Sequence, residues 1–508
     1  MKTTLQLFAF VSNKKFSSAL TRFCVLIIGF LLWTSIAWAQ TTYYSKAVAT
    51  DFNATASWGT ATDGSGTSPA SITNADNYII QNGSLMSLTG NASVRALTIN
   101  AGKLTLASNT LTISIASQNN TEVNVTSGGI LEVSGGTLQI NGAAYFADGS
   151  SLIHSGGLIK LNPNSGTATT SIGGVSSTAV TFGIGYAAGS TSSTISSAAN
   201  VAKFQLTGGT LQIVDPVLST STTCYSLAFR APSSSGHLAF GAGHTVKYGD
   251  GVSSLGAGST NGFYNYYYVS TAYLTVGNMI CDLGNTGTNR FLNFTSSIGV
   301  LGDLTIESGE MRTGTSTFYV AGNITNNGTL TTNGVLYLGK WTNATASTST
   351  TSQTISGSGV FRNLTASPTA NYGSLTINNS SAGGVTFASA QSLNSSSYAG
   401  TISGTFTLVN GVVFTGANTF TLGVATGTAG TLTYTAGGFG SGSSFARWYA
   451  AAGAGTTISA GSVPAFGAGS FPFVSGNPVA GMSARHFHRA TSTFSPGGPF
   501  KVTYNDAS

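Results

Sequence analysis

The side chains that do chemistry are few in this chain and lie far apart. Among 508 residues, 13 are acidic and five are His. Cleavage of a glycosidic bond needs two facing carboxyl groups, one to donate a proton and one to act as base or nucleophile. The close acidic pair is Glu307 and Glu310. Residues three apart in a strand fall on opposite faces, so this pair reads as two solvated surface charges. Asp215 and Asp250 would have to be brought together by the fold, and nothing in the sequence requires that. His486-Phe487-His488 has a metal-like spacing, because both rings of an i, i+2 pair project from one face of a strand. His486 and His488 are flanked by Arg485 and Arg489 and have no evident third ligand. His237 and His244 each follow a Gly and read as loop or corner residues.

No G-x-S-x-G, G-K-[ST] or H-E-x-x-H occurs, and no cofactor is expected. Gly438-Phe439-Gly440-Ser441-Gly442 has the composition of a phosphate loop, but no helical pattern follows to offer its N-terminus. One aromatic cluster comprises Phe263, Tyr264, Tyr266, Tyr267, Tyr268 and Tyr273. Tyr264, Tyr266, Tyr267 and Tyr268 are candidates for stacking on sugar rings. Ordinary packing is the competing use of such rings. Cys224 and Cys281 lie beyond the leader described below, and an oxidising compartment would allow them to form a disulfide. Two buried free thiols are the alternative.

These residues must be positioned by short strands. Leu97-Thr98-Ile99, Leu104-Thr105-Leu106 and Leu111-Thr112-Ile113 follow one another at seven-residue steps. Leu131 and Leu138 begin two more such triplets, as do Leu152 and Ile159, and Leu304, Met311 and Phe318 keep the step. A heptad would place its apolar residues three or four apart. Here they are two apart, which is the strand period. Gly102, Gly128-Gly129, Gly135-Gly136 and Gly156-Gly157 sit between triplets, where corners need tight turns. Three strand-plus-corner units make one coil of a right-handed parallel β-helix, a β-solenoid in which neighbouring coils bury each other's apolar face. The fold class expected is therefore all-β. A two-sheet sandwich array is its rival.

Composition agrees with this. Charged residues are 6% of the chain, Gly numbers 67, hydrophobic residues are 41% and the mean hydropathy is +0.20. That apolar content is too high for a disordered chain. Lys2, Lys14, Lys15 and Arg22, the apolar run from Phe23 to Trp33 and Ala37-Trp38-Ala39 read as a signal peptide over 1–39, cleaved near Ala39. The expected destination is therefore secretion or the outer cell surface. Of the 19 basic residues four lie in that leader, which leaves 15 against 13 acidic ones with no basic cluster. Nucleic acid is thus not an expected partner. No later apolar run approaches the length of a membrane span. The layout expected is a cap segment over 40–92 and solenoid repeats over 93–410, with long loops at 166–295. A distinct, truncated C-terminal β module is expected over 411–508, where five of the ten prolines fall between Pro464 and Pro499.

Trp58, Pro69, Tyr78-Ile79-Ile80 and Gly83, followed by Val94, Leu97, Ile99, Gly102 and Leu104, resemble the N-terminal repeats of large secreted surface proteins. Those proteins are exported by type IX secretion in gliding-type bacteria. Ala321-Gly322-Asn323-Ile324-Thr325-Asn326-Asn327-Gly328, Gln353-Thr354-Ile355-Ser356-Gly357-Ser358-Gly359-Val360-Phe361-Arg362-Asn363-Leu364 and Leu375-Thr376-Ile377-Asn378-Asn379 are similar to the same repeats. The pattern also looks somewhat like the eight-glycine extracellular β-helix domain. The resemblance implies surface display, adhesion or matrix building, and it carries over no catalytic residue. Family members end in a small sorting module, whereas this sequence ends on the strand-like run 501–508. The expected function is that of a non-enzymatic surface or matrix protein, structural or adhesive, whose partners are surface glycans or other surface proteins. The alternative is a carbohydrate-active enzyme, a polysaccharide lyase or hydrolase, or a glycan-binding module on a β-helix.

Overall fold

The computed structural model describes residues 40–114, 121–162, 179–186, 194–215, 224–230, 237–252, 263–265, 274–284, 291–294, 296–313, 316–332, 334–342, 345–362, 374–388, 392–393, 396–397, 400–402, 404–422, 431–440, 442–447 and 500–503. Contacts gather the described residues from 43 onward into one compact unit. The leader over 1–39, Tyr266 to Tyr268, His486 and His488 lie outside the described residues, as do the side chains of Cys224 and Tyr264.

The seven-residue step is the geometry of the coil. Leu97 sits in the strand Ala96–Ile99 on a first face, Leu104 in Lys103–Leu106 on a second, and Leu111 in Thr110–Ile113 on a third. Seven residues thus carry the chain through one strand and one corner. The next coils repeat the circuit and lie parallel on the one before. Leu104 pairs in register with Leu131 and then Leu152, and Leu111 pairs with Leu138 and then Ile159. Stacking coil on coil yields parallel columns in sheets of 15, 16 and eight strands. The fold is an all-β parallel β-helix.

Alternation decides which side chains go inside. Leu97, Ile99, Leu104, Leu106, Leu111 and Ile113 are buried, and Thr98, Thr105 and Thr112 between them are half-buried on the outside. Each inward Leu or Ile removes enough apolar surface from water to contribute about 1.5–3 kcal/mol. No coil could do this alone, since each inward face is covered by the coils on either side. Corners need Gly where coils approach closely. Gly157 has φ +74°, and a Cβ there would sit 2.5 Å from the Gly136 carbonyl oxygen of the coil beneath.

The apolar column is closed at its start. The first coil begins with Asn77–Ile80. Thr42–Ser45 and Trp58–Gly59 form an antiparallel pair beside it. Phe52, Trp58 and Tyr78 are fully buried, and their rings meet edge-on or tilted. The Trp58 indole N–H donates to the Phe52 carbonyl at 2.9 Å, so the ring's one polar atom is satisfied where it is buried. This cap covers strand ends that would otherwise be free to pair with another chain.

The same columns run on through the irregular middle and past residue 410. Ala179–Ile184, Cys224–Phe229 and Phe263–Asn265 continue the first face. Thr405–Asn410 pairs with Thr431–Tyr434 and Val412–Phe414 with Gly438–Phe439, both parallel. Phe500–Thr503 closes antiparallel on Ser444–Arg447. Polar ladders lock the corners between the second and third faces. The Asn278 side-chain oxygen accepts from the Asp303 amide, Asp303 from the Asn323 amide, and Asn323 from the Thr354 amide, at 2.7–2.9 Å. Among the described residues no helix is long and apolar enough to cross a membrane.

Candidate functional site

Most described residues that could do chemistry are engaged within the fold. Glu307 and Glu310 fall on different faces. Glu307 lies 3.3 Å from the Lys247 ammonium, which also meets Asp282 at 2.9 Å. Burial disfavours the charge on Lys247, but the bond to Asp282 and the two carboxylate charges outweigh it and hold the ammonium above its ordinary value. Glu310 accepts both guanidinium bonds of Arg312 at 2.8–2.9 Å, and Arg312 lies over the Phe291 ring. Asp250 accepts from the Val252 amide in a tight turn, and Asp215 is buried. Cys281 is a free, buried thiol, pushed up by burial first and by nearby carboxylates second. Among the described residues no three His, Cys, Asp or Glu side chains gather to hold a metal ion.

Three groupings were not foreseen. His154 and His244, 90 residues apart in sequence, meet inside the core at 3.0 Å between Nδ1 and Nε2. Both are fully buried. Burial holds His154 down to about 4 and His244 to about 3, so both rings are neutral near pH 7. A signal for His154 was present: it takes the inward third position of the triplet that starts at Leu152. His244 carried none.

The second grouping lies on the outside of the first face. Glu122 is 1% exposed, and its carboxyl oxygen accepts from the Ala143 amide. Burial pushes its pKa to about 8 against the opposing pull of that amide. Tyr145 donates to the Val180 carbonyl at 3.0 Å, and its ring packs tilted against Tyr186. Burial, then the Glu122 charge, pushes the Tyr145 phenol up. Glu122 therefore stays protonated at neutral pH, and its environment is apolar and aromatic rather than ionic.

The third grouping is a column on the outside of the second face. Strand register aligns Thr275, Gly299, Tyr319, Tyr337, Thr376, Thr407 and Thr433, one residue per coil. The hairpin of Lys340–Thr342 with Thr345–Ser347 folds back over it. Trp341 packs tilted over Tyr319 at 4.1 Å between centroids, and Tyr319 meets Tyr337 at 4.9 Å. Gly299 makes room for the indole, since a Cβ there would lie 2.7 Å from the Trp341 Cβ. Its place as the middle residue of Ile298-Gly299-Val300 is a legible signal of an outward gap. Thr275 bonds the ring of His237, and burial lowers His237 to about 4. Asn378 donates to the Tyr337 hydroxyl at 2.8 Å. The column is neutral and regular, and it is rich in hydroxyls and aromatic rings. Tyr337 is half-buried, Thr407 half-buried and Thr433 exposed, so its later part reaches solvent.

Comparison with protein-family models, with curated proteins and with solved structures finds no match.

Proposed function

We propose that this is an exported, non-enzymatic surface or matrix protein that works as an adhesive scaffold, displayed by the same kind of export as the surface repeats it resembles. The observation that carries the reading is the second-face column, which reaches solvent at Tyr337, Thr407 and Thr433 while Tyr319 and Thr376 are buried within it. It repeats one hydroxyl or ring per coil at the strand spacing of about 4.8 Å. Neutral hydroxyls and ring faces suit glycans or the polar surface of another protein. A repeated weak contact gains strength through multiplicity without any single strong site. Charged groups elsewhere support the reading, because Lys103–Glu132, Lys247–Asp282 and Arg312–Glu310 are paired with each other.

One observation favours a carbohydrate-active enzyme. Glu122 holds its proton near neutrality, which a general acid must do. Its burial and its use by the Ala143 amide argue for a structural role. A panel of polysaccharides separates the two readings. We expect retention on immobilised glycan or partner protein that weakens several-fold in Tyr337→Ala and Thr407→Ala, with no release of new reducing ends. Turnover that disappears in Glu122→Gln would overturn the adhesive reading.

A further inference from the structure

We propose that the His154–His244 contact is an acid-sensitive joint, at which protonation opens the solenoid locally while distant coils stay closed. The contact spans three coils. His154 lies on Ser151–Leu161, which pairs with Phe204–Ile213, and that strand pairs in turn with Thr245–Gly249 just after His244. The two rings therefore reach past the intermediate coil to touch each other. They can do so because that coil offers Gly208-Gly209 at this corner: a Cβ on Gly209 would sit 2.5 Å from His154 Nε2. The rings meet edge-on, with centroids 4.9 Å apart, and Phe240 closes on His244 edge-on at 5.0 Å. Neither imidazole has exposed surface; the Gly156 and Gly157 backbone favours the charged form of His154, but burial outweighs it.

A hydrogen bond between two neutral imidazoles needs one donor and one acceptor. Full protonation makes both facing nitrogens donors, so the bond is lost and two cations are left in an apolar core. No neighbouring charge offsets this. On Ile130–Val133, Glu132 points outward to Lys103. Lys160 is the other titratable group of the His154 strand and alternates outward from Ile159 and Leu161. Phe204–Ile213 carries no titratable side chain. On Thr245–Gly249, Lys247 is held outside by Asp282 and Glu307, while Tyr248 is in the core. On the following strand, Asn278–Asp282, Cys281 is buried and neutral.

Both folded histidines lie below their ordinary value near 6.5, so from about pH 6.5 down to 4 the opened segment binds up to two protons that the closed one refuses. The stabilisation is complete above pH 6.5 and is lost as pH falls toward 4. Each proton taken up multiplies the opening equilibrium by about ten per pH unit.

Hydrogen exchange of the full chain between pH 7 and 4, corrected for intrinsic rates, tests this. Segments 152–161, 204–213 and 240–248 should open about ten- to a hundredfold more per pH unit lost, while 298–326, which contains no His, serves as internal reference. The double variant His154→Leu with His244→Leu should lose that excess in 152–161 and 204–213, while 240–248 keeps only the part contributed by the buried His237. His154→Gln, which keeps a hydrogen-bonding group and removes one titration, should roughly halve the exponent. Equal pH dependence in the His segments and the reference segment of the wild type would overturn the proposal without any variant having to fold. So would an unchanged slope in His154→Gln.

Discussion

At the scale of single residues, titration inside the solenoid has two opposite signs. Glu122 is raised to about 8 by burial, so between about pH 4.5 and 8 the folded chain holds a proton that the unfolded chain gives up. Its stabilisation is complete at low pH and is lost as pH rises through 8, by roughly 5 kcal/mol if the whole shift is expressed. Glu122→Gln keeps the shape and an acceptor for the Ala143 amide but cannot ionise. We expect denaturant midpoints of the variant to stay level from pH 6 to 9 while those of the wild type fall, and equal slopes would contradict this assignment. The histidine pair acts in the other direction, on the acid side. Cys281 supplies a reporter for the same region. Its thiol is buried, and Asn278–Asp282 stacks on the strand that follows His244, so an alkylating reagent should reach it only as fast as those coils open. Prompt alkylation at pH 7 without denaturant would mean that the core there is open.

At the scale of elements, the triplet is the unit in which stability is built. Leu104→Ala removes a fully buried side chain held between Met86 and Leu131, and it should cost about 2–5 kcal/mol. Thr105→Ala gives up an outward hydroxyl bonded to Glu132 at 3.1 Å, and it should cost about 0.5 kcal/mol or less. Thermal melts that shift equally for the two would refute the inward and outward assignment. The hairpin over the second face depends on a different feature. Gly299→Val should dislodge Trp341 from Tyr319 and raise the exposure of the indole, read as a red shift and easier quenching of its fluorescence. The triplets were legible because alternation and seven-residue spacing are local facts, and burial of Leu97 to Ile113 follows from them. A coil of three seven-residue steps was legible and holds from Leu131 to Leu152, but its lengthening elsewhere was not. Leu131 lies 27 residues past Leu104 but only 21 before Leu152, since corners absorb insertions without disturbing the columns. The site was legible only in fragments. His154 sat at an inward triplet position and Gly299 at an outward one, but their partners, His244 and Trp341, are set by which coils stack, and no short-range pattern carries that.

At the scale of the whole described chain, pairing is between successive coils, and this determines how disturbance spreads. Strands of each column bond only to the strand before and the strand after in the stack, so the stability of a coil is its own plus that of two interfaces. Exposed ion pairs add little to this sum, and the outer faces are hydroxyl and amide rather than charge, so salt should leave stability nearly unchanged. A core truncation, by contrast, should act at short range. Ile306 is fully buried on Leu304–Ser308, between Cys281 on one side and Asn326 on the other. Ile306→Ala should weaken the packing by about 2–5 kcal/mol. That loss belongs first to the interfaces with Asn278–Asp282 and Ile324–Asn326. Amide exchange should therefore accelerate in those strands and in Glu310–Arg312 of the next circuit. Leu97, Leu104 and Leu111, many coils away along the columns, should exchange as in the wild type. Uniform acceleration from residue 97 to residue 440 would show instead that the array opens as one cooperative block, and that coil-to-coil coupling exceeds the stability of any single coil.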